Sequence, residues 1–149
     1  ETVSVTELTE QAYQLVAVSM DLRDIRWKCH VEPGCSFQGD LSWSVEAVGN
    51  ILKNCMEYSE PGGAITVEGT ENPLYTELMI RDEGKGIAPE DLPHLFERFY
   101  RGKDNSTESV GIGLSLAQKI ITQQNGTIQV KNGTKRGAVF TIRFYKSVI

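Results

Sequence analysis

Apolar and polar positions alternate along this chain with two distinct periods. Leu8, Tyr13, Leu15, Val16 and Met20 mark a helix, which the pattern predicts to run from a Thr6 cap to about Leu22. Ile25 to Val31 reads as a strand with Trp27, Cys29 and Val31 on its odd positions, and Glu32-Pro33-Gly34 as a turn. A short second strand is expected at Ser36 to Gln38. Asp40 is a suitable cap for a longer helix ending near Tyr58, where Pro61-Gly62-Gly63 stops it. Leu41, Val45, Val48, Leu52 and Cys55 share one face of that helix, and Glu46, Asn50, Asn54 and Glu57 lie roughly opposite. Ile65 to Thr70 and Leu74 to Arg81 form an expected antiparallel pair around Glu71-Asn72-Pro73. Pro89 to Leu95 reads as a helical turn, and Lys103 to Ser109 as a polar, mobile stretch suited to a lid. Val110 to about Gln124 predicts another helix, closed by Asn125-Gly126. Thr127 to Lys131 and Ala138 to Tyr145 make a terminal hairpin. Helices interleave with hairpins and βαβ units are few. The expected fold is a two-layer α/β sandwich, one mixed and mostly antiparallel sheet covered on one face by helices.

Length and composition narrow the function. The 149 residues suit one domain, spanning 1–149, and the 40% hydrophobic and 23% charged content is that of an ordinary globular protein. No apolar run approaches membrane-spanning length and no signal peptide is visible. The net charge of -5, with no long basic run, argues against nucleic acid as the partner. Cys29, Cys35 and Cys55 are odd in number, lack metal-ligand spacing and read as reduced thiols. The polar start without Met reads as a domain of something longer.

The candidate chemistry begins at Asp82-Glu83-Gly84-Lys85-Gly86, immediately after Leu78-Met79-Ile80-Arg81. A carboxylate at a strand end can accept from an amino group. Glycines beside it let the backbone approach a flat ligand. Asn50 and Asn54, four residues apart, share a helix face, and an amide oxygen is a hard neutral ligand suited to Mg2+. Gly111-Ile112-Gly113-Leu114 opens a helix whose free N–H groups suit phosphate oxygens. Phe96-Glu97-Arg98-Phe99-Tyr100-Arg101 sets two aromatics beside two arginines.

In this order the segments resemble the N, G1, F and G2 boxes of the sensor histidine kinase ATP-binding domain, over nearly the whole chain. The resemblance implies a Bergerat-type fold with a flexible ATP lid, with ATP and Mg2+ bound. It implies that Asn54 holds the metal, and that Asp82 accepts the adenine amino group. Gly84, Gly86 and Ile87 line the base, and Tyr58 lies near the nucleotide. Gly111, Gly113 and Leu114 serve the phosphates. Phe96 and Phe99 anchor the lid base, and either Arg98 or Arg101 meets the γ-phosphate. Asn50 stands where related gyrase-type and chaperone ATPases place a glutamate base. It cannot abstract a proton, which favours transfer over hydrolysis, and Glu46 is a turn away. Two positions depart from the pattern. Ser115 replaces a common glycine but can still donate a hydrogen bond. Glu57 replaces a common lysine and would repel phosphate, unless Lys53, Arg98 or Lys103 compensates or Glu57 turns toward solvent.

His30 and His94 lack the context of a phosphoacceptor, a histidine followed by an acidic residue on a helix. The resemblance therefore implies a protein-histidine kinase that phosphorylates a histidine on an adjacent helical dimerisation domain. It also implies a homodimer in the intact kinase, a response regulator as partner, and a cytoplasmic placement, with any membrane contact made by other segments. Two alternatives are an anti-sigma-factor-type serine kinase, which lacks the Phe96 to Arg101 string, and a degenerate nucleotide- or partner-sensing module without phosphotransfer, supported by Glu57 and Ser115.

Overall fold

The computed structural model describes residues 1–98 and 113–146. A short β1 (Thr2–Ser4) leads into α1 (Val5–Gln14) and α2 (Ala17–Leu22). Then come β2 (Arg26–Val31), β3 (Ser36–Gln38) and the long α3 (Leu41–Tyr58). The hairpin β4 (Ala64–Glu71) and β5 (Tyr75–Arg81) follows, with a 3-10 turn at Leu92–His94. After α4 (Gly113–Thr122) the chain closes with β6 (Gly126–Asn132) and β7 (Ala138–Tyr145).

Five strands form one sheet in the order β2-β4-β5-β7-β6. The β2–β4 pair is parallel because α3 lies between them as a crossover, and every other pair is antiparallel. Val67, Ile80 and Phe140 are aligned across three strands on the helix side and are buried. They join Leu8, Ala12, Ile51, Leu52, Ala117 and Ile121 from the helices in one core. The opposite face carries Glu68 with Arg81 and Glu77 with Arg143, ion pairs that remain partly exposed. An antiparallel sheet with one solvated face is the expected two-layer α/β sandwich.

Local chemistry sets the element ends. Asp40 caps α3 by accepting from the Trp43 N–H at 2.8 Å. Ser59 closes it, its Oγ donating to the Cys55 carbonyl at 2.7 Å. Asn125 sits at φ 61°, the left-handed conformation asparagine tolerates after a helix. The first helix departs from expectation. Its cap is Ser4, whose Oγ accepts from Glu7 N–H at 3.3 Å, not Thr6. It is also broken into two, because Leu15 and Val16 donate to the carbonyls three residues back and tighten the last turn. The polar N-terminus forms β1 against β3, pairing Val3 with Phe37. No helix among the described residues is long and apolar enough to cross a membrane.

Candidate functional site

Asp82 follows β5 directly. Its N–H donates to the Ala138 carbonyl at 3.1 Å, extending the β5–β7 ladder by one residue. The strand alternation of Leu78 and Ile80 therefore carries Asp82 to the helix-covered side, where it is 3% exposed. One carboxylate oxygen, Oδ1, accepts from Gly84 N–H at 3.0 Å and Ala138 N–H at 3.2 Å. The other, Oδ2, is buried without a hydrogen-bond partner. Burial raises the Asp82 pKa, opposed by the Gly84 and Ala138 N–H groups and by the neighbouring Cys55 thiol. Burial likewise pushes the Cys55 thiol well up, and the Asp82 charge adds to this. The Cys55 thiol is at best a weak donor to this carboxylate, and an oxygen buried without an N–H or O–H donor is unusual in a folded protein and points to a partner from outside.

The loop after Asp82 is held on three sides. A Cβ at Gly84 would stand 1.7 Å from the Tyr58 carbonyl oxygen, so only glycine lets the loop touch the end of α3. Gly137 immediately precedes β7 at φ 79°, and a Cβ there would stand 1.9 Å from the Asp82 carbonyl oxygen. Gly86 turns the loop at φ 82° and delivers Ile87, 3% exposed, to the apolar interior. Asn132 grips Ile87 by both backbone groups, Oδ1 accepting from its N–H and Nδ2 donating to its carbonyl, each at 2.8 Å. Glu83 accepts from the Ala64 N–H at 3.1 Å and ties the loop to β4.

A second cluster lies further back along α3. Asn50 and Asn54 are half-buried on this helix. A Cβ at Gly113 would stand 3.7 Å from the Asn50 Cγ, so the start of α4 meets α3 there. Asn50 and Cys55 are five residues apart, about 7.5 Å along the helix axis. The C-terminal half of α3 thus lies between the start of α4 at Asn50 and the buried Asp82 carboxylate beside Cys55.

Residues 39–147 match the profile described as "Histidine kinase-, DNA gyrase B-, and HSP90-like ATPase". The chain belongs to that family. Its relatives are sensor histidine kinases. It is 35% identical over 78% of its length to "Sensor histidine kinase YvrG" of Bacillus subtilis. It is 29% identical over 94% of its length to "Sensor-like histidine kinase SenX3" of Mycobacterium tuberculosis. It spans 20% and 35% of those two proteins' lengths. Among solved structures, "Mycobacterial sensor histidine kinase MprB" matches with TM-score 0.84 and 28% identity over 100% of both chains. The "Catalytic domain of histidine kinase ThkA" shares the fold, with TM-score 0.86, 21% identity and 99% and 98% coverage.

In this ATPase-family domain, most of the candidate residues among the described ones lie on α3, the 82–87 loop and the start of α4. Asn50 and Gly113 meet, and Asp82, Gly84, Gly86 and Ile87 form one loop. Leu114 is buried in the first turn of α4. The Tyr58 side chain is 6% exposed, and its carbonyl is the surface against which Gly84 packs. Phe96 packs edge-on against Phe140, with ring centroids 6.4 Å apart. Arg98, Glu57 and Glu46 are exposed. Phe99, Arg101, Gly111 and the 103–109 stretch expected as a lid lie outside the described residues. His30 is exposed, and exposed His94 pairs with Glu97 at 2.6 Å.

Sequence reasoning missed the contribution of the terminal hairpin. Ala138 N–H, Gly137 and Asn132 all act on the Asp82–Ile87 loop, and Arg136 Nε donates to the Gly84 carbonyl at 3.4 Å while pairing with Glu60 at 3.1 Å. The available signal was the small pair Gly137-Ala138 at a strand start, a composition that marks close backbone approach.

Proposed function

We propose that this domain binds Mg2+–ATP and presents the γ-phosphoryl group to a histidine on an adjacent helical dimerisation domain. The observation that carries the reading is Asp82 Oδ2, a buried carboxylate oxygen without a donor, lying against an apolar interior. The adenine amino group supplies a matching donor. A base with a carbonyl there would set oxygen against oxygen, so the pocket selects ATP over GTP. Gly84 and Gly86 keep side chains away from the base, and Ile87 adds an apolar contact.

At the other end, Asn54 would hold Mg2+, which when bound neutralises charge across the phosphate oxygens. Gly111, Gly113 and the first turn of α4 would offer N–H groups to those oxygens. Asn50 faces Gly113 and carries no proton-abstracting group, so it cannot activate water. Transfer to an outside nucleophile is the outcome this favours, with Arg98 or Arg101 as the cation meeting the γ-phosphate. The intact protein would then be a homodimeric sensor kinase with its kinase portion in the cytoplasm and a response regulator downstream.

Titration calorimetry of the 149-residue chain with ATP, with and without Mg2+, tests the nucleotide reading. Mg2+-dependent binding, ATP preferred over GTP, is expected. No measurable affinity, or binding insensitive to Asp82→Asn, would sink it. Phosphotransfer is tested by adding the helical dimerisation domain and following radiolabel from ATP into its histidine.

A further inference from the structure

We infer that Asn132 is a positioning residue of this pocket. Its carboxamide sets the height of the Asp82–Ile87 loop, and with it the geometry in which Asp82 and Ile87 receive a base. The inference rests on the nucleotide reading above.

Asn132 is the last residue of β6, and its side chain extends the sheet beyond its own backbone. Oδ1 accepts from Ile87 N–H and Nδ2 donates to Ile87 C=O, both at 2.8 Å. A carboxamide carries a donor and an acceptor side by side and meets both backbone groups of one residue, as a neighbouring strand would. An aspartate can only accept, and an alanine does neither. These two bonds are the polar anchors of Ile87 among the described residues.

The loop is pinned at its other end by Ala138, which bonds the Asp82 backbone at 3.1 Å and its carboxylate at 3.2 Å. Between the pins lie Gly84 and Gly86, which give the backbone wide freedom unless both ends are held. A Cβ at Gly86 would stand 2.9 Å from Asn132 Oδ1, so the amide is seated directly against the turn. Removing the carboxamide frees the Ile87 end while Asp82 stays anchored.

The test compares wild type, Asn132→Ala and Asn132→Asp in the 149-residue chain. Calorimetry with Mg2+ measures ATP and inosine triphosphate, which lacks the exocyclic amino group. Nuclear magnetic resonance follows Ile87 amide exchange without nucleotide. Asn132→Ala should accelerate Ile87 exchange while core-strand amides stay protected, and Asn132→Asp, which keeps the acceptor for the Ile87 N–H but loses the donor to its carbonyl, should accelerate it less. Asn132→Ala should weaken ATP by up to about thirtyfold, the value of two net hydrogen bonds. Inosine triphosphate should weaken less, so that the preference for ATP narrows. Unchanged Ile87 exchange, unchanged ATP affinity, or equal loss for both nucleotides with a lowered melting temperature would each overturn the inference. A wild-type chain that binds neither nucleotide overturns the nucleotide reading itself, and this inference falls with it.

Discussion

Replacing Asp82 with asparagine removes one charge, leaves the volume almost unchanged, and moves stability and binding in opposite directions. The carboxylate is buried with Oδ2 unpartnered by any N–H or O–H, and burial raises its pKa above the unfolded value. Between those two values the folded state holds more protons than the unfolded one. Stability therefore falls as pH rises from the unfolded pKa through the folded one, and above the folded value ionised Asp82 is a liability. An asparagine Oδ1 can still accept from Gly84 and Ala138 N–H, leaving a neutral amide in place of a charged oxygen. Leaving a buried polar group unmet costs roughly 1–3 kcal/mol. Exchanging a charged one for a neutral one should recover the lower part of that range, about 1 kcal/mol, or a melting-temperature rise of about 2–4 °C. Binding goes the other way. With Oδ1 committed to two backbone N–H groups, the amide NH2 must face the adenine amino group, donor against donor. Losing a hydrogen bond to a charged acceptor is worth roughly 1.5–3 kcal/mol, so ATP affinity should fall about a hundredfold. Calorimetry and a thermal melt on one preparation check both. Wild-type ATP affinity in Asp82→Asn, or a melting temperature lowered by several degrees, would refute the reasoning.

Other perturbations separate the parts of the site. ATP affinity of the wild type should decline as pH is lowered through the raised Asp82 pKa, because the protonated acid loses its free acceptor, and titration calorimetry across pH should show this dependence vanish in Asp82→Asn. Gly84→Ala puts a methyl group where the Tyr58 carbonyl stands, so the loop must shift; ATP affinity measured by calorimetry should drop by more than about tenfold, with a stability loss of roughly 1–3 kcal/mol. Asn54→Ala should abolish the Mg2+ dependence of ATP binding and leave adenosine binding intact, as seen in paired titrations. Ile51→Ala, at a fully buried position of α3, should cost about 3 kcal/mol in urea unfolding.

What could be read in the chain was written locally. Asp40, Asn125-Gly126 and the alternation of β4, β5 and β7 each act within a few residues, so helix ends and strand faces follow from the sequence. The break near Leu15 was not legible, because it depends on where α1 packs: a Cβ at Gly49 of α3 would stand 2.7 Å from Leu15 Cδ1. β1 escaped notice because three residues carry no periodicity, and their pairing with Ser36 to Gln38 joins segments far apart in the chain. The same distinction divides the site. Asp82, Gly84 and Gly86 stand in one string, whereas Asn132, Gly137 and Ala138 reach that string from about fifty residues away, through the β5–β7–β6 register. No local pattern can announce such a contact.

That register also explains why the carboxylate stays poised. Asp82 is one step beyond β5, opposite Ala138, which is the first residue of β7. The Ala138 N–H is free to turn to Oδ1, and the positive-φ bend at Gly137 allows the strand to start so close to Asp82. With one oxygen fixed by two backbone donors, rotation about the side-chain bonds would break both, so Oδ2 cannot swing away to find a protein partner. The unmet oxygen is a consequence of strand geometry, and the fold retains it because the sheet and α3 contribute far more burial than one carboxylate loses. A ligand bringing an amino group relieves that penalty as it binds. The same contact that selects the ligand therefore stabilises the domain, and ATP should raise the melting temperature of wild type well above the effect it has on Asp82→Asn.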